Sequence, residues 1–277
     1  MKTVALPGGS KVPALGLGTW NMGENGRHRS AEIGALQRGI DLGMTLIDTA
    51  EMYGEGRAEE MAGQAIIGRR DKVFLVSKVY PHNATRSGAI AACERSLRRL
   101  GVDCIDLYLL HWRGSVALAE TMDVFADLKR AGKIAAFGVS NFDTSDMNEA
   151  WSVAHGRQIA TDQILYNLTR RSVEHDLLPW LRVKEVPVMA YSPVEQGRLL
   201  RDPKLAAIAA GRGATPAQIA LAWLLAQPQV IAIPKAAARE HVEENRVAAD
   251  IELTAEEVSA LDTAFPRPKA RKALEML

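Results

Sequence analysis

Cysteine is nearly absent from this chain, with two in 277 residues, Cys93 and Cys104. That excludes a disulfide-stapled fold, and two buried thiols in a reducing compartment is the plain reading. Net charge is nearly absent too, at +1 from 34 basic and 33 acidic residues, and the basic residues are scattered. No concentrated positive field is offered to nucleic acid or to a lipid surface. No apolar run approaches the roughly 20 residues of a membrane span. The opening MKTVALPGGSKVP lacks the ~7–15-residue apolar stretch of a secretion signal. The protein is therefore read as cytoplasmic, with neither nucleic acid nor membrane as a partner. A dinucleotide fingerprint is also missing. Gly16-Leu17-Gly18 is followed by Thr19-Trp20-Asn21, without the third glycine that a phosphate-binding strand–helix turn requires.

What is present is an ordinary globular composition, 47% hydrophobic and 24% charged, enough to bury a full core. Short apolar runs recur: Leu15–Thr19, Thr45–Asp48, Val73–Lys78, Cys104–His111, Ile134–Ser140, Ile159–Ile164, Val188–Tyr191 and Val230–Ile233. They are apolar without alternation, which predicts strands buried on both faces. Amphipathic helices fall between them. Ile33, Leu36 and Ile40 precede a capping Gly43; Ile90, Cys93, Leu97 and Leu100 precede Gly101; Met122, Phe125 and Leu128 precede Gly132. Thr215-Pro216 and Thr254 with Glu257 mark two further helix starts. Eight strand–helix alternations without a linker predict a closed (β/α)8 barrel, an α/β fold, as one domain over residues 1–277. LPGGSKVPALG predicts a hairpin or lid over the barrel floor.

In such a barrel the chemistry sits at the C-terminal strand ends. The runs close on Asp48, Lys78, His111, Ser140 with Asn141, Gln163 and Tyr191, and Lys235 comes just after the last one. Taken singly, Asp48 reads as a cap, Lys78 as a solvated strand end, His111 as a core histidine and Tyr53 as a loop aromatic. A barrel mouth would gather all four into one pocket. A lysine kept charged by an aspartate would lower the pKa of a nearby phenol, which could then give a proton to a developing alkoxide. A neutral histidine could hold the carbonyl oxygen. No side chain supplies a hydride, so a nicotinamide cofactor is needed. Ser140, Asn141 and Gln163 could pair with its carboxamide, and Tyr191 could stack on its ring.

Over nearly its full length the sequence resembles the aldo-keto reductases. The resemblance is carried by GLGTW (16–20), IDTAEMYGEG (47–56), VSK (76–78), DLYLLHW (106–112), GVSNF (138–142), DQILYN (162–167), AYSP (190–193), IPKA (233–236) and EN (244–245). It implies a TIM barrel that binds NADP(H) without a Rossmann fold, reduces aldehydes or ketones to alcohols, and acts as a monomer. Asp48, Tyr53, Lys78 and His111 are the implied catalytic tetrad. Ser140, Asn141 and Gln163 are the implied carboxamide site, and Tyr191 the stacking partner. Ser192 and the stretch from Pro193 through Gln196 and Gly197 to Leu199 are implied at the pyrophosphate. Lys235 is implied at the 2′-phosphate, Glu244 and Asn245 at the adenine, and Ile233, Pro234, Ala236, Arg239 and His241 among the other cofactor contacts. Gly18, Thr19 and Trp20 would line the cofactor and substrate end. Trp20, Met22, Tyr80, His111, Trp112 and Phe142 would form the substrate wall. No metal is implied.

There are departures from the family pattern. Ala236 stands where serine or threonine is frequent and His241 where arginine is frequent, which leaves NAD(H) open beside NADP(H). Asp162 replaces an asparagine. Segments such as EMYGEGRAEE, VFLVSKVYPHNA and DLLPW resemble a bacterial branch that includes methylglyoxal reductases, implying small dicarbonyls or simple aldehydes. The short basic tail PRPKARKALEML suggests an open pocket. Potassium-channel beta subunits share the fold as cofactor-bound partners without the enzymatic role, and the four tetrad residues leave that alternative open. A Schiff-base aldolase using Lys78 lacks support from a phosphate-binding glycine turn.

Overall fold

The computed structural model describes residues 1–277. The chain opens with an antiparallel hairpin, β1 (Thr3–Ala5) against β2 (Lys11–Pro13), in which Val4 pairs Val12. Gly8 and Gly9 turn it with φ of +99° and +94°, conformations that a Cβ disfavours. Val4, Leu6 and Val12 are buried in the main core, so the hairpin covers the N-terminal end of the barrel built by the remaining strands.

Then come the alternations: β3 (Leu17–Gly18), α1 (Arg29–Asp41), β4 (Leu46–Asp48), α2 (Arg57–Ala65), β5 (Phe74–Val79), α3 (Arg86–Leu100), β6 (Ile105–Leu110), α4 (Leu118–Arg130), β7 (Ile134–Ser140), α5 (Thr144–Ser152), β8 (Ile159–Leu165), α6 (Leu177–Val183), β9 (Val188–Tyr191), α7 (Pro203–Arg212), α8 (Pro216–Ala226), β10 (Val230–Ala232), α9 (Arg239–Val247) and α10 (Ala255–Ala264). Strands β3 to β10 pair in sequence order, all parallel. Parallel bridges Leu15–Ala232 and Gly18–Lys235 join first to last and close the barrel. This closure explains the Gly-Leu-Gly segment. A Cβ on Gly18 would lie 2.8 Å from the Ile233 carbonyl oxygen, and one on Gly16 2.9 Å from that of Leu46. The glycines let backbones approach each other, a steric need unrelated to phosphate.

The strands are apolar because both faces are covered; every residue of β8 is buried. Helix boundaries follow local chemistry. Thr85 caps α3 and Gly101 ends it at φ +66°; Thr215 with Gln218 and Thr254 with Glu257 form capping boxes on α8 and α10. Met122, Phe125 and Leu128 of α4 are buried. Two details differ from the sequence expectation. Ile90 is exposed on α3 while Cys93, Leu97 and Leu100 face inward, because the stripe at 93, 97 and 100 already fills the contact. Cys104 is only partly buried at the strand's start, whereas Cys93 is fully buried and burial pushes its thiol up to about 12. No helix is long and apolar enough to cross a membrane.

Candidate active site

The polar residues predicted at strand ends converge on one face of the barrel. Asp48 ends β4, Lys78 is the penultimate residue of β5, His111 comes directly after β6, Ser140 ends β7, Gln163 lies in β8 and Tyr191 ends β9. Tyr53 arrives from a tight turn after β4. The turn is left-handed over three residues, Gly54, Glu55 and Gly56, with φ of +56°, +57° and +92°. The Arg99 guanidinium packs against the bare Gly56 backbone, within 2.4 Å of where a Cβ would sit. Arg99 in turn pairs with buried Glu59 at 3.1 Å, and Ser77 donates to Glu59 at 2.6 Å. The turn and the strand carrying Lys78 are thereby braced together.

Lys78 is fully buried, and its ammonium meets Asp48 Oδ1 at 2.8 Å, the Thr49 carbonyl at 2.9 Å and Tyr53 Oη at 3.0 Å. An ammonium has three N–H donors, so all three are engaged. Tyr53 Oη accepts one of them, and its own proton remains free for another partner. Gln163 Nε2 donates to Asp48 Oδ1 at 2.7 Å, which adds a second donor to the carboxylate. Burial pushes the Lys78 pKa down and the Asp48 carboxylate pulls it back up. The expected lowering of the Tyr53 pKa is not found. Burial first, and the Asp48 carboxylate second, hold the phenol well above its ordinary value. Burial and the Asp48 carboxylate together keep Tyr53 protonated.

His111 packs edge-on to Tyr53, ring centroids 5.7 Å apart. Burial, reinforced by Lys78, lowers its pKa to about 2, so the ring is neutral. Its Nδ1 is buried without a partner. A proton on Nε2 of the neutral ring would give a hydrogen-bond donor to a ligand in the cavity.

Beside this cluster runs a ladder of amide contacts. Tyr191 donates to Asn141 Oδ1 at 2.8 Å, Asn141 Nδ2 donates to the His111 carbonyl and to Ser140 Oγ at 3.1 Å each, and Ser140 donates to the Gln163 carbonyl at 2.8 Å. Asp162 takes no part in it. It is buried against the Phe142 amide, with Oδ2 unpartnered, and burial raises its pKa well above the carboxylate range.

A cavity of about 900 Å³ joins these groups, at the upper end for a small-molecule site. Gly18, Trp20, Asp48, Tyr53, His111, Trp112, Ser140, Asn141, Gln163 and Tyr191 line it, as do Ser192, Pro193, Gln196, Gly197, Ile233 and Lys235. Thr19, Leu199, Pro234 and Ala236 are buried beside it, and Arg239, His241, Glu244 and Asn245 lie beyond its lining on α9. Arg239 lies across Gly34 of α1, and Glu244 accepts from Thr215 at 2.5 Å. Met22 and Phe142 belong to the hydrophobic core with no exposed surface and do not line the cavity. Tyr80 is partly exposed and outside the lining, packed edge-on against Trp112 at 5.9 Å. Sequence reasoning missed Asn21, Met52, Leu200, Met276 and Leu277, all in the lining. The tail is the largest miss: far from leaving the pocket open, it folds back across it. No local pattern announces that, because its anchors lie about a hundred residues away.

The barrel and its strand-end cluster define an oxidoreductase of the cofactor-dependent TIM-barrel type. Residues 14–265 match the model of the aldo/keto reductase family, and the chain belongs to that family. It is 50% identical to methylglyoxal reductase YeaE of Escherichia coli, covering 100% of this chain and 99% of the other. An aldo/keto reductase from Klebsiella pneumoniae, solved in complex with NADP and acetate, superposes with a TM-score of 0.97 at 50% identity, covering 100% of this chain and 99% of that one. The thermostable aldo-keto reductase Tm1743, solved with the inhibitor epalrestat, gives 0.89 at 41% identity over 95% and 100% of the two chains.

Proposed function

We propose that residues 1–277 act as one cytoplasmic, monomeric domain that reduces small carbonyl compounds with NADPH, methylglyoxal and simple aldehydes foremost, and that Tyr53 is the proton donor. The observation that carries the reading is the saturated ammonium of Lys78, which leaves the Tyr53 proton free beside the cavity. The cavity suits a dinucleotide: it is large, it has the amide ladder and Tyr191 in its wall, and Lys235 borders it after β10. Between them, Ser192, Glu195 and Gln196 hold positive φ of 47° to 53°, a strain that clusters at ligand clamps.

NADPH bound there supplies the hydride. Asn141, Ser140 and Gln163 would hold its carboxamide, and Tyr191 would present a flat face to the ring. His111 Nε2 donates to the substrate oxygen and fixes it beside Tyr53. As charge develops on that oxygen, Tyr53 transfers its proton to it. An alkoxide is a stronger base than a phenolate, so even a phenol with a raised pKa gives up its proton. Lys78, still donating to Oη, stabilises the phenolate left behind.

The direct test is NADPH oxidation monitored by absorbance with methylglyoxal, glyoxal, nitrobenzaldehydes and sugars. Turnover is expected with the small dicarbonyls and aldehydes; no turnover with any carbonyl would point to a non-catalytic, cofactor-bound protein. Cofactor choice has its own test. Lys235→Ala is expected to weaken NADPH roughly tenfold or more, the worth of one charge-assisted phosphate contact, and to leave NADH nearly unchanged. Equal weakening of both in a binding titration would remove Lys235 from the 2′-phosphate.

A further inference from the structure

The C-terminal segment after α10 is stitched to the region between β8 and α6. His175 Nε2 meets the Pro268 carbonyl at 2.7 Å, Arg271 pairs with Asp176 at 2.9 Å, and Ser172 and Lys272 exchange hydrogen bonds of 2.8 Å and 3.3 Å. The last stitch differs from these. Arg170 pairs with Glu275 of the tail at 2.5 Å and, through two nitrogens at 2.6 Å and 3.0 Å, with Glu195. Glu195 lies in the strained Ser192–Gly197 loop. Its carboxylate also accepts from Asn167, at 2.7 Å, and that same amide holds the Ser192 carbonyl at 2.9 Å.

We propose that Arg170 is a positioning residue that clasps the tail to the cofactor loop, so that the tail end lining the cavity and the dinucleotide grip close as one unit. The proposal rests on the reading that the Ser192–Gly197 loop faces the dinucleotide. Its geometric basis is a guanidinium with one carboxylate on each side. One belongs to the loop. The other is adjacent to Met276 and Leu277, which line the cavity. The pair with Glu195 is sheltered, as that side chain is 7% exposed. Burial pushes the Glu195 carboxyl up, but Arg170, Asn167 and Arg198 more than offset it, and the group is held below the usual carboxylate range. Glu275, by contrast, is 40% exposed, so the tail arm of the clasp is the one that can let go. Release of the tail leaves Arg170 tied to Glu195 alone, so the loop and the tail end no longer move together, which lets the cofactor leave.

The test is the rate of NADPH release, read by stopped-flow fluorescence with an unlabelled chase, in Glu275→Gln, Arg170→Met and the double variant. Glu275→Gln removes a charge from a half-exposed side chain, and its melting temperature serves as the check that the fold is intact. Glu275→Gln is expected to speed release several-fold without a matching fall in Tm. In the Arg170→Met background, the Glu275 change is expected to add nothing, because the shared partner is gone. Unchanged release in Glu275→Gln, or effects of the two substitutions that simply multiply, would overturn the clasp while leaving the cofactor site standing. Absence of saturable NADPH binding to the wild-type protein would instead remove the cofactor reading and the clasp with it.

Discussion

Tyr53→Phe is expected to lower kcat by about 10² to 10⁴, the range for loss of a positioned general acid, with NADPH affinity nearly intact. The substitution removes one oxygen and leaves the ring, its packing on His111 and its position over Lys78 in place. One cost accompanies it. Lys78 loses an acceptor in a fully buried site, worth about 1–3 kcal/mol. The measurement is single-turnover NADPH oxidation with methylglyoxal, alongside a cofactor titration. Activity near the wild-type level would remove Tyr53 from the acid role. Because the phenol is already protonated in the free protein, the rate should not rise on acidification in the way it would for an acid half-ionised near neutrality.

Lys78→Met is expected to damage stability and chemistry together. Asp48 would be left as a buried carboxylate with no countercharge, a loss of about 3–5 kcal/mol for one broken partner of a buried pair. For a chain of this size that lowers Tm by on the order of 10 °C. Activity should fall by ~10² or more, since Tyr53 loses its orienting donor and the phenolate its ammonium partner. The double variant Asp48→Asn/Lys78→Met separates the two effects. With both charges gone, most of the stability is expected to return, while kcat stays low. Recovery of kcat together with Tm would mean that the pair is structural and that Lys78 does not serve the reaction.

Much of this site was legible in the linear pattern because barrel strands impose a simple rule. A run buried on both faces must end where the backbone leaves the core, and its terminal polar residue then faces the mouth. Asp48, Ser140 and Tyr191 obey it at the last strand residue, and Lys78 and Gln163 one and two residues before it. Tyr53 does not; it belongs to a left-handed turn, and only Gly54 and Gly56 hint at its geometry. The substrate wall was read less well. Met22 and Phe142 adjoin lining residues in sequence, but the turn of the chain carries each into the core, and adjacency says nothing about direction there.

The sequence alone determined the number and order of strands, the caps that start and stop the helices, and which ionisable groups meet at the barrel mouth. These come from periodicity and from residue types acting over a few positions. Only the tertiary structure decided three other matters. The phenol is held protonated, because its pKa depends on burial and on the nearby Asp48 carboxylate, neither of which is set by local sequence. The Gly-Leu-Gly segment serves barrel closure, because its contacts are with Leu46 and Ile233. The tail lies across the cavity, because it is held by Arg170, Ser172, His175 and Asp176, about a hundred residues earlier in the chain.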